Sequence, residues 1–334
     1  MTPDQLMQMI QGIQASAVLK AGLELRVFDA LATGPRGAEA VAAEVGADPR
    51  GARILLDALA ALGVLAREGA EYALSPVAAE HLVSGRPHDL GGSGRLFTSD
   101  HMFRMLATLP AAVRAGGAVI EDHAEVPDHP FWTDFATWTS GMAGAGGAAL
   151  AAALAPWASG RPALEVLDVA CGTGLYGYSV AAAQPQARVT SLDWPSVLQV
   201  TRTYAERLGV SDRVRYLEGS CFTAELGGPY DLAILSHIFH HFDEASCLGL
   251  LARVAAALRP GGRVAIHEFV TTDAPPRTDP APHLFSTIML SWTRRGEAYS
   301  LARYQDWLRR TGFGAPEVHP SAGMPTRILV AEKL

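Results

Sequence analysis

Residues 236–244 read Ser-His-Ile-Phe-His-His-Phe-Asp-Glu, which puts His237, His240 and His241 within five positions, directly after the apolar run Tyr230-Asp-Leu-Ala-Ile-Leu-Ser236. Three chemistries fit that pattern. Imidazoles at i, i+3 and i+4 share a face of a helical turn and can ligate zinc, iron or nickel, with Asp243 or Glu268 as further candidates. One imidazole can instead act as a general base, provided a carboxylate fixes its other ring nitrogen. The third possibility is packing. No fourth ligand stands at a recognised spacing such as HxxEH or HExxH, so the expectation is no metal.

A second stretch, Leu167-Asp-Val-Ala-Cys-Gly-Thr-Gly174, can bind a ligand through its backbone. Gly172 and Gly174 at a strand-to-helix turn allow close approach, and open α/β sheets hold their ligands at the carboxyl ends of the strands. Such turns also serve dinucleotides, and Gly177 is the third glycine after the Thr-Gly pair, so the turn alone is a weak signal. Asp168 lies at the strand end. Asp193 closes the next strand about twenty residues on, where a carboxylate can accept both hydroxyls of a ribose.

The elements that must position these groups follow from periodicity. From residue 164 the runs LEVLDVA, ARVTSLD, RVRYLEG, YDLAILS and RVAIHEF alternate with helical stretches, the pattern of a doubly wound α/β domain with a parallel sheet. PEVHPS and RILVAEKL are expected to pair as a hairpin at the sheet edge. Residues 1–90 predict helices over Leu6–Leu19, continuing from Ala21 to Leu31, then over Ala38–Val45 and Ala52–Leu62, with a hairpin from Gly63 to Leu74. That is a winged-helix pattern. Residues 100–158 read as helical, with an aromatic and methionine series that includes Phe131, Trp132, Phe135 and Met142.

Composition narrows the partners. With 334 residues the chain suits two domains, and 49% apolar content supports large cores. The net charge of −7, and the absence of any basic run, argue against nucleic acid and anionic membrane. Residues 1–100 carry eight basic against twelve acidic side chains, so the winged helix lacks the basic face of a DNA reader and suits dimerisation. Cys171, Cys221 and Cys247 are scattered without a disulfide framework, and the N-terminus does not read as a signal peptide, so a cytoplasmic protein is expected. Residues 141–157 lack charge, but they are mostly Gly and Ala and end near Pro156. They read as a closely packed helix rather than a membrane span.

Together, "VLDVACGTG", "SLDWPSV", "YDLAILSHIFHHFDE" and "ALRPGGRVAIHEF" resemble the class I S-adenosylmethionine-dependent methyltransferases, specifically the small-molecule O-methyltransferases of the caffeate and acetylserotonin type. The resemblance covers nearly the whole chain. It implies a Rossmann-like methyltransferase domain over residues 161–334, a helical, substrate-lining segment over 101–160 and a mainly helical winged-helix dimerisation domain over 1–100. By the same resemblance Asp168, Gly172 and Gly174 line the methionine end of the cofactor and Asp193 holds its ribose. Trp194, Ser220, Cys221, Phe222 and Ser236 complete the expected cofactor contacts. Where relatives have Gly-Asp-x-Phe after the third strand, this chain reads Gly219-Ser220-Cys221-Phe222.

The family's His-Asp-Trp aligns with His240, His241 and Phe242, which makes His240 the implied base, with Glu268 and Glu297 as its two flanking glutamates. In that register His237 is expected to point back toward the strand. The acceptor pocket is expected to draw on Phe131, Trp132, Phe135, Met142, His241, Phe285, Met289 and Trp292. The implied activity is methyl transfer to a hydroxyl of a small, aromatic metabolite by a homodimer. Two rivals remain: methylation at carbon or nitrogen, for example of an α-keto acid with metal assistance, and a non-methylating protein that keeps S-adenosylmethionine as a cofactor.

Overall fold

The computed structural model describes residues 1–86, 89–321 and 323–334. It forms two compact units, Met1–Phe103 and Arg104–Leu334.

The first unit opens with the helix Pro3–Glu24, started by a reciprocal cap in which the Thr2 hydroxyl accepts from Gln5 N and the Gln5 side chain accepts from Thr2 N. The expected continuation to Leu31 is interrupted. Arg26 takes a left-handed φ of 57°, and a separate short helix, Val27–Ala30, follows. The break turns the chain so that Leu23, Val27 and Phe28 all pack into one core with Leu56 and Leu59. Helices Ala38–Val45 and Pro49–Ala61 come next. Strands β1 (Arg36–Gly37), β2 (Leu65–Glu68) and β3 (Glu71–Leu74) form an antiparallel sheet in the order β1-β3-β2. Along the first helix Leu6, Met9, Ile10 and Ile13 occupy i, i+3, i+4 and i+7 and stay 50–70% exposed, an apolar stripe outside this unit's core.

The second unit is built on a seven-stranded sheet of β4 (Leu164–Val169), β5 (Ala187–Asp193), β6 (Val214–Glu218), β7 (Tyr230–Ser236), β8 (Leu258–Glu268), β9 (Glu317–Pro320) and β10 (Arg327–Glu332). The order is β6-β5-β4-β7-β8-β10-β9. The first five run parallel, and β10 is antiparallel to both of its neighbours, so the expected terminal hairpin forms the sheet edge. Every residue of β7 is buried, as a strand with both faces covered requires. The chain winds outward from β4 in one direction and from β7 in the other. This leaves a crevice at the carboxyl ends of β4 and β7.

The Gly/Ala-rich stretch is the helix Ser140–Ala158. Among the described residues it alone is long and apolar enough to cross a membrane. Its composition has a packing reason. A Cβ on Gly147 would meet the Leu175 carbonyl oxygen at 2.6 Å, and one on Gly146 the side chains of Tyr176 and His267, so this helix touches the helix Leu175–Ala183 almost backbone to backbone. Pro156, expected to close the helix, lies inside its last turn, where its missing N–H removes one hydrogen bond without ending the helix.

Candidate active site

After β4 the chain folds tightly, with left-handed φ values of 52° at Ala170, 55° at Gly172 and 76° at Gly174. The turn delivers Gly172 N to Asp193 Oδ2 at 2.8 Å, while Trp194 N donates to Asp193 Oδ1 at 2.7 Å. Gly219 N reaches the Asp193 carbonyl at 3.0 Å, so the loops after β4, β5 and β6 meet on this residue. Each Asp193 carboxylate oxygen keeps one further lone pair, enough to accept from two vicinal hydroxyls. Desolvation pushes this carboxyl up to about 6.

Asp168 is fully buried. Its Oδ2 accepts from Gly177 N at 2.9 Å, and its Oδ1 has no hydrogen-bond partner among the described residues. Burial raises its pKa well above the usual carboxylate range. An orphaned acceptor beside a glycine turn suits a ligand that brings an N–H donor or a positive charge. Gly177, the last glycine of the run Gly172-Thr-Gly174-Leu-Tyr-Gly177, packs against this carboxylate: a Cβ there would stand 2.9 Å from Asp168 Oδ2. The remaining predicted cofactor residues are spread more widely. Ser220 Oγ accepts from Phe222 N at 3.2 Å, Phe222 packs edge-on to Phe242, and the Cys221 carbonyl accepts from Arg253 Nε at 3.3 Å. Ser236 is buried at the end of β7, and Trp194 is half-buried.

The histidines stand at the neighbouring strand ends. The β7–β8 register pairs Ser236 with His267, and His237 N donates to the His267 carbonyl at 2.9 Å, so Glu268 lies beside the turn Phe239–His241. Glu268 is fully buried. Its Oε1 accepts from Phe239 N at 2.9 Å and its Oε2 from Phe269 N at 3.2 Å, and Oε2 also lies 2.6 Å from His240 Nδ1. Burial lowers the pKa of His240 and raises that of Glu268, so the imidazole is held neutral. The two backbone N–H groups favour an ionised Glu268, which then accepts the Nδ1 proton and leaves Nε2 as the basic nitrogen. No described residue hydrogen-bonds Nε2.

His237 departs from its expected orientation. Its Nδ1 lies 4.0 Å from Glu268 Oε2 and its side chain is 24% exposed, because a left-handed φ of 54° swings the residue off the strand line. His237, His240 and Glu268 bring three potential ligand atoms within 4.8 Å of one another. Glu297 is exposed, and no described hydrogen bond joins it to His240. The contact comes from the residue before it. A Cβ on Gly296 would lie 2.1 Å from the His240 carbonyl oxygen, so this loop packs its main chain on the backbone of His240.

Aromatic rings surround the histidines. Trp132 lies 5.3 Å from His241 and 5.0 Å from Trp292, Phe131 lies 5.0 Å from Trp292, and Phe135 closes on Trp132 at 5.4 Å. Phe285 lies 4.7 Å from His240, and Met289 is buried on the same helix face as Phe285 and Trp292. His241 is 7% exposed and its Nδ1 has no hydrogen-bond partner among the described residues. Met142 is half-buried on the helix Ser140–Ala158, and no described ring contact ties it to this cluster.

A parallel sheet of this order, with a ribose-competent carboxylate at one strand end and a glycine turn at the next, is a class I methyltransferase scaffold. A family model described as an O-methyltransferase domain matches residues 140–314, and one described as an O-methyltransferase dimerisation domain matches residues 7–84. Acetylserotonin O-methyltransferase of Mus musculus molossinus is 34% identical over 334 residues, covering 92% of this chain and 83% of that protein. A solved structure of a putative O-methyltransferase from Nostoc punctiforme is 30% identical, with a TM-score of 0.92 over 100% of both chains. Human N-acetylserotonin methyltransferase in complex with S-adenosylmethionine shares the fold, with a TM-score of 0.85, 24% identity, and coverage of 99% of this chain and 97% of that one. The chain belongs to the S-adenosylmethionine-dependent O-methyltransferases.

If Asp193 holds the ribose of the cofactor, as the resemblance implies, its replacement by alanine removes two acceptors for that ligand as well as the anchor of Gly172 N in the glycine turn. A loss of about 1.5–3 kcal/mol, roughly tenfold to a hundredfold in Kd, is expected for both S-adenosylmethionine and S-adenosylhomocysteine by calorimetry. An unchanged Kd would remove Asp193 from the site.

Proposed function

We propose that the enzyme methylates a hydroxyl of a small, planar, aromatic metabolite, with His240 as general base. The observation that carries this reading is the buried 2.6 Å pairing of His240 Nδ1 with Glu268, which leaves Nε2 free of protein partners. When bound, S-adenosylmethionine supplies a methyl group activated by its sulfonium. A phenol has a pKa near 10, so its oxygen is a poor nucleophile at neutral pH until a base takes the proton. His240 Nε2 takes that proton, and Glu268 fixes the tautomer and stabilises the imidazolium. Trp132, Phe135, Phe285 and Trp292 offer flat apolar surface to an aromatic acceptor, with Phe131, Met142 and Met289 behind them and His241 as a polar contact. Glu268 carries the orienting role, and Glu297 assists only as part of the loop that follows Gly296.

Metal-assisted methylation at carbon is the rival with an observation in its favour, the convergence of His237, His240 and Glu268. Against it, ligands about 2.1 Å from one metal stand roughly 3 Å apart, whereas His240 Nδ1 and Glu268 Oε2 sit at a hydrogen-bond separation of 2.6 Å. Methyl transfer from isotopically labelled S-adenosylmethionine to a panel of phenols, with product analysis by NMR, decides between them. An O-methyl product from protein stripped by chelator supports the base. Near-stoichiometric zinc, iron or nickel, lost together with activity on chelation, overturns it.

The same reading includes a homodimer, supported by the match to a dimerisation domain and by the exposed stripe of Leu6, Met9, Ile10 and Ile13. Light scattering at micromolar concentration is expected to give twice the 35.3 kDa chain mass. Ile10→Glu is expected to shift the protein to monomer. A wild-type monomer would contradict the assignment.

A further inference from the structure

The geometry points to His237 as a second acceptor-binding imidazole, paired with His240 across one carboxylate, which selects acceptors carrying a second oxygen function next to the hydroxyl to be methylated. This rests on the proposed hydroxyl-methylating reading and extends it to specificity.

Four rings make a closed circuit above Glu268. His237 and His240 are 6.0 Å apart between centroids, His237 and Phe269 5.7 Å, Phe269 and Phe285 4.0 Å in a stack, and Phe285 and His240 4.7 Å. His237 therefore borders the same space as the proposed base. Both imidazoles turn Nδ1 toward Glu268 Oε2, at 4.0 Å from His237 and 2.6 Å from His240. No described residue hydrogen-bonds Nε2 of either ring. A packing histidine has its nitrogens satisfied or its ring sealed. The His237 side chain is instead 24% exposed against 5% for His240.

The backbone supports the same conclusion. A left-handed φ is costly for a residue with a Cβ and persists where the surroundings hold it, typically at functional sites. Here the His267 carbonyl holds it through His237 N at 2.9 Å. The His267 ring, 4.8 Å from that of His237, is itself pinned by Tyr176 Oη on Nδ1 and Thr326 Oγ1 on Nε2, both at 2.7 Å. A fixed ring with an open nitrogen gives a neutral hydrogen-bonding group beside the reacting oxygen. One such bond distinguishes acceptors by about tenfold.

The probes are 2-naphthol and 2,3-dihydroxynaphthalene, which differ by one adjacent hydroxyl. Calorimetry is run on the full chain saturated with S-adenosylhomocysteine, so binding is read without turnover. The wild type is expected to bind the diol about tenfold more tightly. His237→Phe is expected to abolish that preference while leaving S-adenosylhomocysteine affinity intact, and His237→Asn, which tolerates the left-handed backbone and keeps a polar group, to retain part of it. Equal affinity of the wild type for the two naphthols, absence of binding included, overturns the proposal. So does a preference that survives in His237→Phe. Because binding alone is read, failure of methyl transfer would count against the hydroxyl-methylating reading and leave this result separable from it.

Discussion

Replacing His240 by alanine is expected to lower kcat by about 10²–10⁴, the usual contribution of a positioned general base, while leaving the Kd of S-adenosylmethionine nearly unchanged. The split follows from geometry. Asp193 and the glycine turn belong to the loops after β4, β5 and β6, whereas His240 follows β7 and is fixed by Glu268 at the end of β8. Glu268→Gln keeps shape but removes the charge that stabilises the imidazolium, so a smaller loss is expected. The pH profile carries the sign of the buried pair. Burial lowers the His240 pKa, so the competent neutral form persists into mildly acid solution, and activity is lost as pH falls, through protonation of the His240–Glu268 pair. The apparent pKa of that limb belongs to the pair, and Glu268→Gln should displace it. Full activity of His240→Ala across pH would show that the acceptor needs no deprotonation.

Gly296→Ala is expected to be almost as damaging, although residue 296 touches no ligand in the proposed reading. The added Cβ would lie 2.1 Å from the His240 carbonyl oxygen and 2.7 Å from Thr293 Oγ1, which already accepts from Gly296 N at 2.8 Å. Neither neighbour is the free end of a flexible side chain, so the turn Phe239–His241 must move. Overpacking of this kind costs about 1–3 kcal/mol, and about 2–4 °C of thermal midpoint per kcal/mol is usual for a unit of this size. A displacement of the base approaching 1 Å can cost about a hundredfold in rate. A thermal melt and kcat measured on the same preparation check both parts. A variant with wild-type midpoint and wild-type kcat would show that the loop relaxes freely.

Much of this site was legible in the residues themselves. Asp168, Gly172, Gly174 and Asp193 sit at strand ends because apolar runs and glycine turns are local signals, and a parallel sheet brings the strand ends together whatever the side chains do. The alternation from residue 164 onward foretold the seven strands, including the antiparallel terminal pair, for the same reason. The small-residue character of residues 141–157 foretold close packing, and the partner proved to be the helix Leu175–Ala183.

Other features needed the tertiary structure. The break at Arg26 is invisible to periodicity, because the apolar spacing of a straight helix and that of two short ones is alike over a single turn, and only packing against Leu56 and Leu59 selects the bend. Gly296 carries no motif, and the glycine spacing that includes Gly177 does not show its contact; each matters through an atom that its Cβ would strike, Asp168 Oδ2 in one case and the His240 carbonyl in the other. Glu297 reads like Glu268, yet one is exposed and the other sealed at the end of β8. His237 is the sharpest instance. Its spacing from His240 suggested a shared helical face, while the strand before it suggested a ring turned away. The ring is not turned away, and it converges with His240 without a shared helix, because a positive φ at the β7 terminus directs it to the carboxylate that His240 also uses. Local sequence determined which elements form and which residue types lie at the strand ends. Only long-range contacts, which fix backbone angles and burial one residue at a time, decided which of those residues share a cavity.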